Sequence, residues 1–340
     1  MKAALIFGPG DMRVVDRPDP EPAADEVVVR VAAYSPYGTD VGHFIDRGGR
    51  YEQHYPVGVG ADFSGVVEKL GSEVDNVRVG DRVSALALNH CGKCDNCRAG
   101  RTNLCRDRSA STRPRQACCQ TLTTVAANKL AVLPANVSFE EAGMLSGFVV
   151  ALNAFELLGI GEGDLLAVIG VGAMGQSAIA AAKACGIRTI AIGGTGARAD
   201  IAERLGAEAV FRLATHGEMA TDRVLAATPR GYTHILETTA SQWGVTQAIA
   251  VASLEGRVAL TGGGPLPATA WDLVLRELKL LGVNAGHHQE QALALIAAGK
   301  LDLKPAITHR FTLDEAPAAF ALLAGPDASD VGRVIITIGD

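Results

Sequence analysis

Cys91, Cys94, Cys97 and Cys105 fall in the run CGKCDNCRAGRTNLC with the spacing C-x2-C-x2-C-x7-C. Four thiolates in one short loop suit a closed tetrahedral zinc site. Some iron–sulfur motifs also begin C-x2-C-x2-C. The residues around these cysteines (Gly92, Lys93, Asp95, Arg98, Gly100, Arg101) describe an exposed lobe, which suits structural zinc better. Cys118, Cys119 and Cys185 stand apart and read as core or half-buried thiols. The start, MKAALIFGPGD, has an apolar run of only five residues, Ala3 to Phe7, before Gly8, too short for a signal-peptide core. Seven cysteines without such a leader point to a reducing, cytoplasmic setting, where clustered cysteines are metal ligands rather than disulfides.

A second pattern is Gly170-Val171-Gly172-Ala173-Met174-Gly175. It follows the apolar run LLAVI and opens an apolar helical stretch, the context in which GxGxxG binds a dinucleotide. Gly170 allows a sharp turn, Gly172 a close approach of the pyrophosphate and Gly175 close packing of helix on strand, while the helix start around Ala173 and Met174 presents N–H donors. NAD-specific sites place a carboxylate at the end of the second strand. Here TIAIGG ends in Gly193-Gly194-Thr195-Gly196-Ala197-Arg198, which has none. The small residues leave room for a 2′-phosphate, with Thr195 and Arg198 as its donors, so NADP(H) is favoured over NAD(H). On this reading an aspartate at Gly193 would shift preference towards NADH. The alternative is a solvated Arg198 and an unselective site.

These residues need elements to hold them. At 340 residues the chain is long enough for two domains, and 48% apolar with 20% charged residues is the profile of a globular protein. The net charge of −6 has interspersed signs, so neither a nucleic-acid stripe nor a polybasic membrane helix is present. Residues 1–135 read as β-rich, with strands in 26–34, 61–71 and 81–88. A capping box, Ser138 to Glu141, opens a helix running towards Leu158. Beyond Gly163 the candidate strands LLAVIG, TIAIGG, EAVFRL, THILET and RVALTG alternate with helices at 174–185, 197–205 and 242–253. That alternation predicts a parallel sheet with helices on both faces, an α/β fold. The most apolar long run, 165–186, is its first strand, turn and helix rather than a membrane span. Helices near 288–299 and 314–324 and a strand at 333–338 close the chain.

YGTD (37–40), GVGADFSGVV (58–67), VGDRV (79–83), the cysteine lobe and GVGAMG (170–175) together resemble the medium-chain dehydrogenase/reductase superfamily. More narrowly, the chain is similar to the zinc-dependent alcohol dehydrogenase branch along essentially its whole length. The resemblance implies a GroES-like β-rich catalytic domain (1–147 and 286–340, with the zinc lobe at 90–106) and a Rossmann doubly wound cofactor domain (148–285). It implies an active site in the cleft between them. It also places Gly262 beside the nicotinamide and Arg333 beside the cofactor phosphates or ribose, and it implies a homodimer or homotetramer with pairing near 279–284.

The family's catalytic zinc ligands are replaced. Its usual cysteine matches Tyr37, its histidine matches Ala61, and the best match to the third ligand is Ser146. None is a good zinc ligand, so one structural zinc and no catalytic zinc is the expectation. Tyr37 then becomes the candidate donor to a developing oxyanion, or else a wall filling the vacated volume. Thr39 matches a relay hydroxyl, and Asp40 and Asp62 match residues around the metal. His43 lies one residue from the relay histidine position, which Gly42 fills. Phe44, Tyr51, His54, Leu145 and Phe148 are candidates for the substrate pocket. Losing the metal favours reduction of a polarised double bond, an enone or iminium, by NADPH. The alternatives are a zinc-independent alcohol dehydrogenase or carbonyl reductase using Tyr37, and a nucleotide-binding protein without turnover.

Overall fold

The computed structural model describes residues 1–48, 54–86, 88–107, 117–215 and 218–339. The chain forms two compact units, Met1–Ser146 with Gln289–Ala297 and Ile307–Asp340, and Gly147–His288 with Ala298–Ala306.

The first unit runs β1 (Lys2–Gly8), β2 (Asp11–Asp16), β3 (Glu26–Tyr34), α1 (Gly38–Phe44), β4 (Val57–Gly58), β5 (Phe63–Leu70), β6 (Arg82–Ala85), α2 (Asp95–Arg98), β7 (Leu122–Ala126), β8 (Leu130–Val132) and α3 (Phe139–Ala142). The chain continues through α4 (Leu145–Leu158). The second unit holds β9 (Leu165–Ile169), α5 (Ala173–Ala184), β10 (Arg188–Ile192), α6 (Ala197–Leu205), β11 (Ala209–Phe211), α7 (Thr221–Ala227), β12 (Tyr232–Glu237), α8 (Gln242–Ala250), β13 (Ala252–Leu260), α9 (Ala270–Val274) and β14 (Lys279–Gly282). The first unit is completed by α10 (Gln289–Ala297), β15 (Ile307–Thr312), α11 (Ala316–Ala324) and β16 (Arg333–Thr337).

In the first unit β3 is the organising strand. It pairs antiparallel with β5, β7 and β16, and Val27, Val28, Val29 and Val31 are fully buried. Both faces are covered, which explains why EVVVRVAAY is nearly continuously apolar rather than alternating. β3 ends at Tyr34, whose register partners are Phe63 and Ile336. The chain then turns directly into Ser35–Asp40, so the candidate catalytic segment hangs from a largely buried strand.

The second unit is a six-stranded sheet ordered β11-β10-β9-β12-β13-β14, parallel throughout. Counted within the unit this is the order 3-2-1-4-5-6 of a doubly wound nucleotide fold. Strand order reverses at β9 and β12, whose carboxyl ends carry the glycine turn and Thr238. One sequence expectation is corrected. The single helix expected from Ser138 to Leu158 is two, α3 and α4, broken at Gly143-Met144. The Ser138–Glu141 capping box closes a single turn, and Gly143 ends it. Among the described residues no helix is long and apolar enough to cross a membrane.

Candidate active site and metal centres

The four lobe cysteines converge from loop and helix start. Cys94 caps α2 and Cys97 lies on it, while Cys91 and Cys105 flank it. Sγ–Sγ separations are 4.0 Å for Cys91–Cys97, 3.5 Å for Cys94–Cys97 and 4.0 Å for Cys94–Cys105. A tetrahedron of 2.3 Å zinc–sulfur bonds has edges of about 3.8 Å, so the set fits zinc. The Cys94 N–H donates to Cys91 Sγ and the Cys91 N–H to Cys105 Sγ, each at 3.3 Å, which orients two of the thiolates. Backbone N–H groups of Arg106 and Cys97 pull the Cys94 thiol down to about 6. Zinc held here would cross-link the lobe, a structural task.

At the glycine turn, Gly170 has φ +94, and a Cβ there would stand 2.5 Å from Thr239 Cγ2. A Cβ on Gly175 would collide with the Gly170 carbonyl oxygen. Gly172 differs, because a Cβ there would meet nothing nearer than Arg198 Nη1 at 3.9 Å. Packing therefore requires the first and third glycines, whereas the second lines open space beneath the Arg198 guanidinium. The first turn of α5 begins there, with Gly172 as its N-cap, followed by Ala173 and Met174. Thr238 Oγ1 donates to Ile169 O at 2.8 Å, fixing the turn from β12. Beside it Glu237 is fully buried, accepts N–H from Thr239 and Ala240 and O–H from Thr239, and is pushed up by burial. An open cradle, a helix start and an arginine are the donor set a dinucleotide needs.

The second strand ends at Gly193 and Gly194 with φ +136 and +84, followed by exposed Thr195 and half-buried Arg198. Side chains are strained at both φ values, so an aspartate at Gly193 carries a backbone cost as well as a charge. Gly262 packs against Ala240, leaving no room for a Cβ.

In the first unit Tyr37 is the N-cap of α1. Its N–H donates to Asp40 Oδ2 at 2.9 Å, and the Gly60 N–H donates to Asp40 Oδ1 at 3.1 Å. Asp40 thus ties α1 to the segment before β5. Gly60, at φ +82, has Cys118 Sγ and Tyr34 where a Cβ would go. The Tyr37 hydroxyl donates to Met144 O at 3.0 Å, in the break between α3 and α4. The Arg333 guanidinium lies 4.1 Å from the centre of the Tyr37 ring. Arg333 is 1% exposed, and its Nη2 donates to Ser35 Oγ at 2.7 Å, while Nε and Nη1 are buried without a partner. A buried guanidinium with two unpartnered nitrogens is costly unless an anion completes it. Thr39, on the first turn of α1, and Asp62, before β5, are half-buried, as is His43. Phe44, Leu145 and Phe148 are buried and His54 is exposed; Tyr51 lies outside the described residues.

Ala61 and Ser146, the other two positions matched to the family's zinc ligands, are half-buried. Among the described residues, two groups of three or more His, Cys, Asp or Glu side chains converge closely enough to share an ion, the four cysteines and Glu156 with His287 and His288. The second group has no short sequence spacing to announce it. Only the adjacent histidines are visible in the sequence.

Residues 23–135 match the family described as the alcohol dehydrogenase GroES-like domain, and residues 173–298 match the zinc-binding dehydrogenase family. The chain is 30% identical to an L-threonine 3-dehydrogenase of Chromobacterium violaceum over 344 residues, 98% of each. It belongs to the zinc-binding alcohol dehydrogenase branch of the medium-chain dehydrogenase/reductase superfamily. It is accordingly an NAD(P)-dependent oxidoreductase. Galactitol-1-phosphate dehydrogenase from Escherichia coli superposes with a TM-score of 0.86 at 26% identity, covering 99% of this chain and 100% of that one. A zinc-binding dehydrogenase from Sinorhizobium meliloti, solved with NADP, gives 0.85 at 26% identity, covering 99% and 98%. Membership accounts for the GroES-like and Rossmann parts, and the four lobe cysteines fit a structural zinc.

Proposed function

We propose that this oxidoreductase uses NADP(H) and works without zinc at the family's catalytic position, reducing a carbon–carbon or carbon–nitrogen double bond polarised by conjugation. The observation that carries the proposal is the side-chain set at that position. Tyr37, Ala61 and Ser146 offer no thiolate, imidazole or carboxylate, and both oxygens of Asp40 are engaged by main-chain N–H groups. A Lewis acid is what makes a localised alkoxide affordable. A conjugated acceptor instead spreads the incoming charge over several atoms. NADPH, when bound, supplies the hydride to the β-carbon of such an acceptor. The α-carbon takes a proton from solvent, so two electrons pass from cofactor to substrate and the carbonyl is retained.

This chain's residues divide the work. Gly172 and the start of α5 (Ala173, Met174) hold the pyrophosphate, while Thr195 and Arg198 take the 2′-phosphate, supported by the guanidinium above the open glycine. The NADP-bound relative supports the same cofactor. Arg333, with two unpartnered nitrogens, binds a cofactor or substrate oxyanion. Tyr37 presents its hydroxyl to the substrate oxygen in place of Met144 O, and Thr39 on the same helix turn stands beside it. A second reading, reduction of a plain ketone with Tyr37 as proton donor, is favoured by that hydroxyl already acting as a donor.

The test offers NADPH with a cyclic enone, an iminium and the matching saturated ketone, and NADP+ with the matching alcohol, with products read by mass. Saturated carbonyl from the enone, with the ketone untouched, supports the proposal. Turnover of ketone and alcohol alone moves the assignment to the second reading. Metal content belongs to the same test, because zinc bound at Tyr37, Ala61 or Ser146 would overturn the zinc-free assignment.

A further inference from the structure

Adjacent residues in an extended segment point to opposite sides, yet the His287 and His288 rings lie 4.1 Å apart between centroids and tilt by 34°. Both aim at one oxygen. His288 Nε2 is 3.0 Å and His287 Nε2 is 3.6 Å from Glu156 Oε2. One ligand atom of each of the three side chains lies within 4.8 Å of the other two. A tetrahedral ion with bonds of about 2.05 Å to nitrogen and oxygen has ligand edges of about 3.3 Å, and the cis edges of an octahedron are about 2.9 Å. The two observed separations, 3.0 and 3.6 Å, bracket the tetrahedral edge, and the shorter lies close to the octahedral one.

The backbone is built to keep this convergence. Val149, Asn153 and Glu156 share one face of α4 at spacings of four and three residues. Asn153 Nδ2 donates to Ala285 O at 2.8 Å. Gly286 sits so close to Val149 that a Cβ would collide with the Val149 carbonyl oxygen. Ala285 has φ +46, a left-handed conformation rare for alanine, and it turns the chain just before the two histidines. So the loop after β14 is pinned to α4 at two neighbouring points, and the third point on the same face is the Glu156 carboxylate. Nδ1 of each ring is buried without a partner, leaving Nε2 as the working atom.

We propose that Glu156, His287 and His288 form a binding site for a divalent transition-metal ion, separate from the cysteine lobe and from the positions of the family's catalytic zinc. Two imidazoles and a carboxylate with an open position are the ligand set of borderline ions such as zinc, nickel and copper rather than of calcium or magnesium. Glu156 is 58% exposed on its side chain, so the open position faces solvent and the ion exchanges freely. An ion there would lock the loop 283–288 onto α4.

Zinc alone is the probe. The full chain, with the lobe already loaded, is dialysed against buffered free zinc and its metal content per chain is measured. The wild type should take up a saturable equivalent beyond the lobe, and its melting temperature should rise with free zinc, because an ion that binds the folded chain stabilises it. Glu156→Gln, at an exposed position, and His287→Gln/His288→Gln should both lose that equivalent and the rise. Failure of the wild type to take up the extra ion, or an undiminished extra ion in both variants, overturns the site. The second result would place the ion elsewhere in the chain.

Discussion

At the scale of single residues, the two assignments that most need separating are Tyr37 as donor and Tyr37 as wall. Tyr37→Phe keeps the ring beneath Arg333 and removes only the hydroxyl that donates to Met144 O. If a plain ketone is the substrate, kcat should fall on the order of 10²–10⁴-fold, as for loss of a general acid. If a conjugated acceptor is the substrate, kcat should fall by less than about tenfold, because solvent can protonate the delocalised product. Steady-state rates on the two substrate types decide between them. Arg198→Ala is the companion experiment for the cofactor. Its guanidinium lies above Gly172, and a hydrogen bond to a charged group contributes about 2 kcal/mol. NADPH should bind roughly 30-fold more weakly while NADH is nearly unaffected, which titration of each nucleotide would show. Equal losses for both would mean that Arg198 holds the pyrophosphate instead. Gly193→Asp is a poorer probe, since φ +136 adds strain to the change of charge.

At the scale of elements, the glycine turn separates packing from binding. A methyl on Gly175 collides with the Gly170 carbonyl, so Gly175→Ala should force α5 away from β9 and cost about 1–3 kcal/mol of stability, as overpacking does. A methyl on Gly172 meets open space, so Gly172→Ala should melt like the wild type and yet bind NADPH far more weakly. Thermal melts with and without nucleotide would show both. Sequence alone foretold this turn, because a strand, three glycines and a helix are all local signals. The cysteine lobe was legible for the same reason, as were β9, β10, β12 and α5, α6 and α8, from apolar runs punctuated by turn residues. The break at Gly143-Met144 was not, since a capping box and an apolar run read as one helix. In sequence Asp40 is compatible both with a place near a metal and with a turn cap, and the Tyr37 N–H donated to its carboxylate shows the cap. The meeting of Glu156 with His287 and His288 was beyond sequence reading, because distant segments are brought together only by packing of the loop on α4.

At the scale of the whole molecule, the two metal-related parts and the sheet edge make separate demands. Four thiolates within 4.8 Å of one another repel unless a cation joins them, so stripping zinc or changing Cys94 to Ser should loosen the lobe alone. Proteolysis within 88–107 should quicken while the second unit still binds NADPH. Concerted loss of cofactor binding would mean that the lobe supports more than itself. β14 is the last strand of the six-stranded sheet, and among the described residues one edge of its backbone has no strand partner. Edges of this kind are normally covered or paired. Here the flanking surface is apolar. Trp271, Val274 and Leu275 on and after α9 are 67%, 61% and 72% exposed, and Leu254, whose neighbour Glu255 donates its N–H to Arg276 O, is 70% exposed. Large exposed apolar side chains near an open edge mark an interface, and the resemblance implies pairing near 279–284, on β14 itself. We expect two copies to join their β14 edges across a two-fold axis, covering this patch on both. Trp271→Glu with Leu275→Glu should then give monomers by sedimentation, with NADPH binding retained, since neither residue touches the glycine turn. Dimers that persist unchanged in the double variant would place the contact elsewhere, and the apolar patch beside β14 would need another partner.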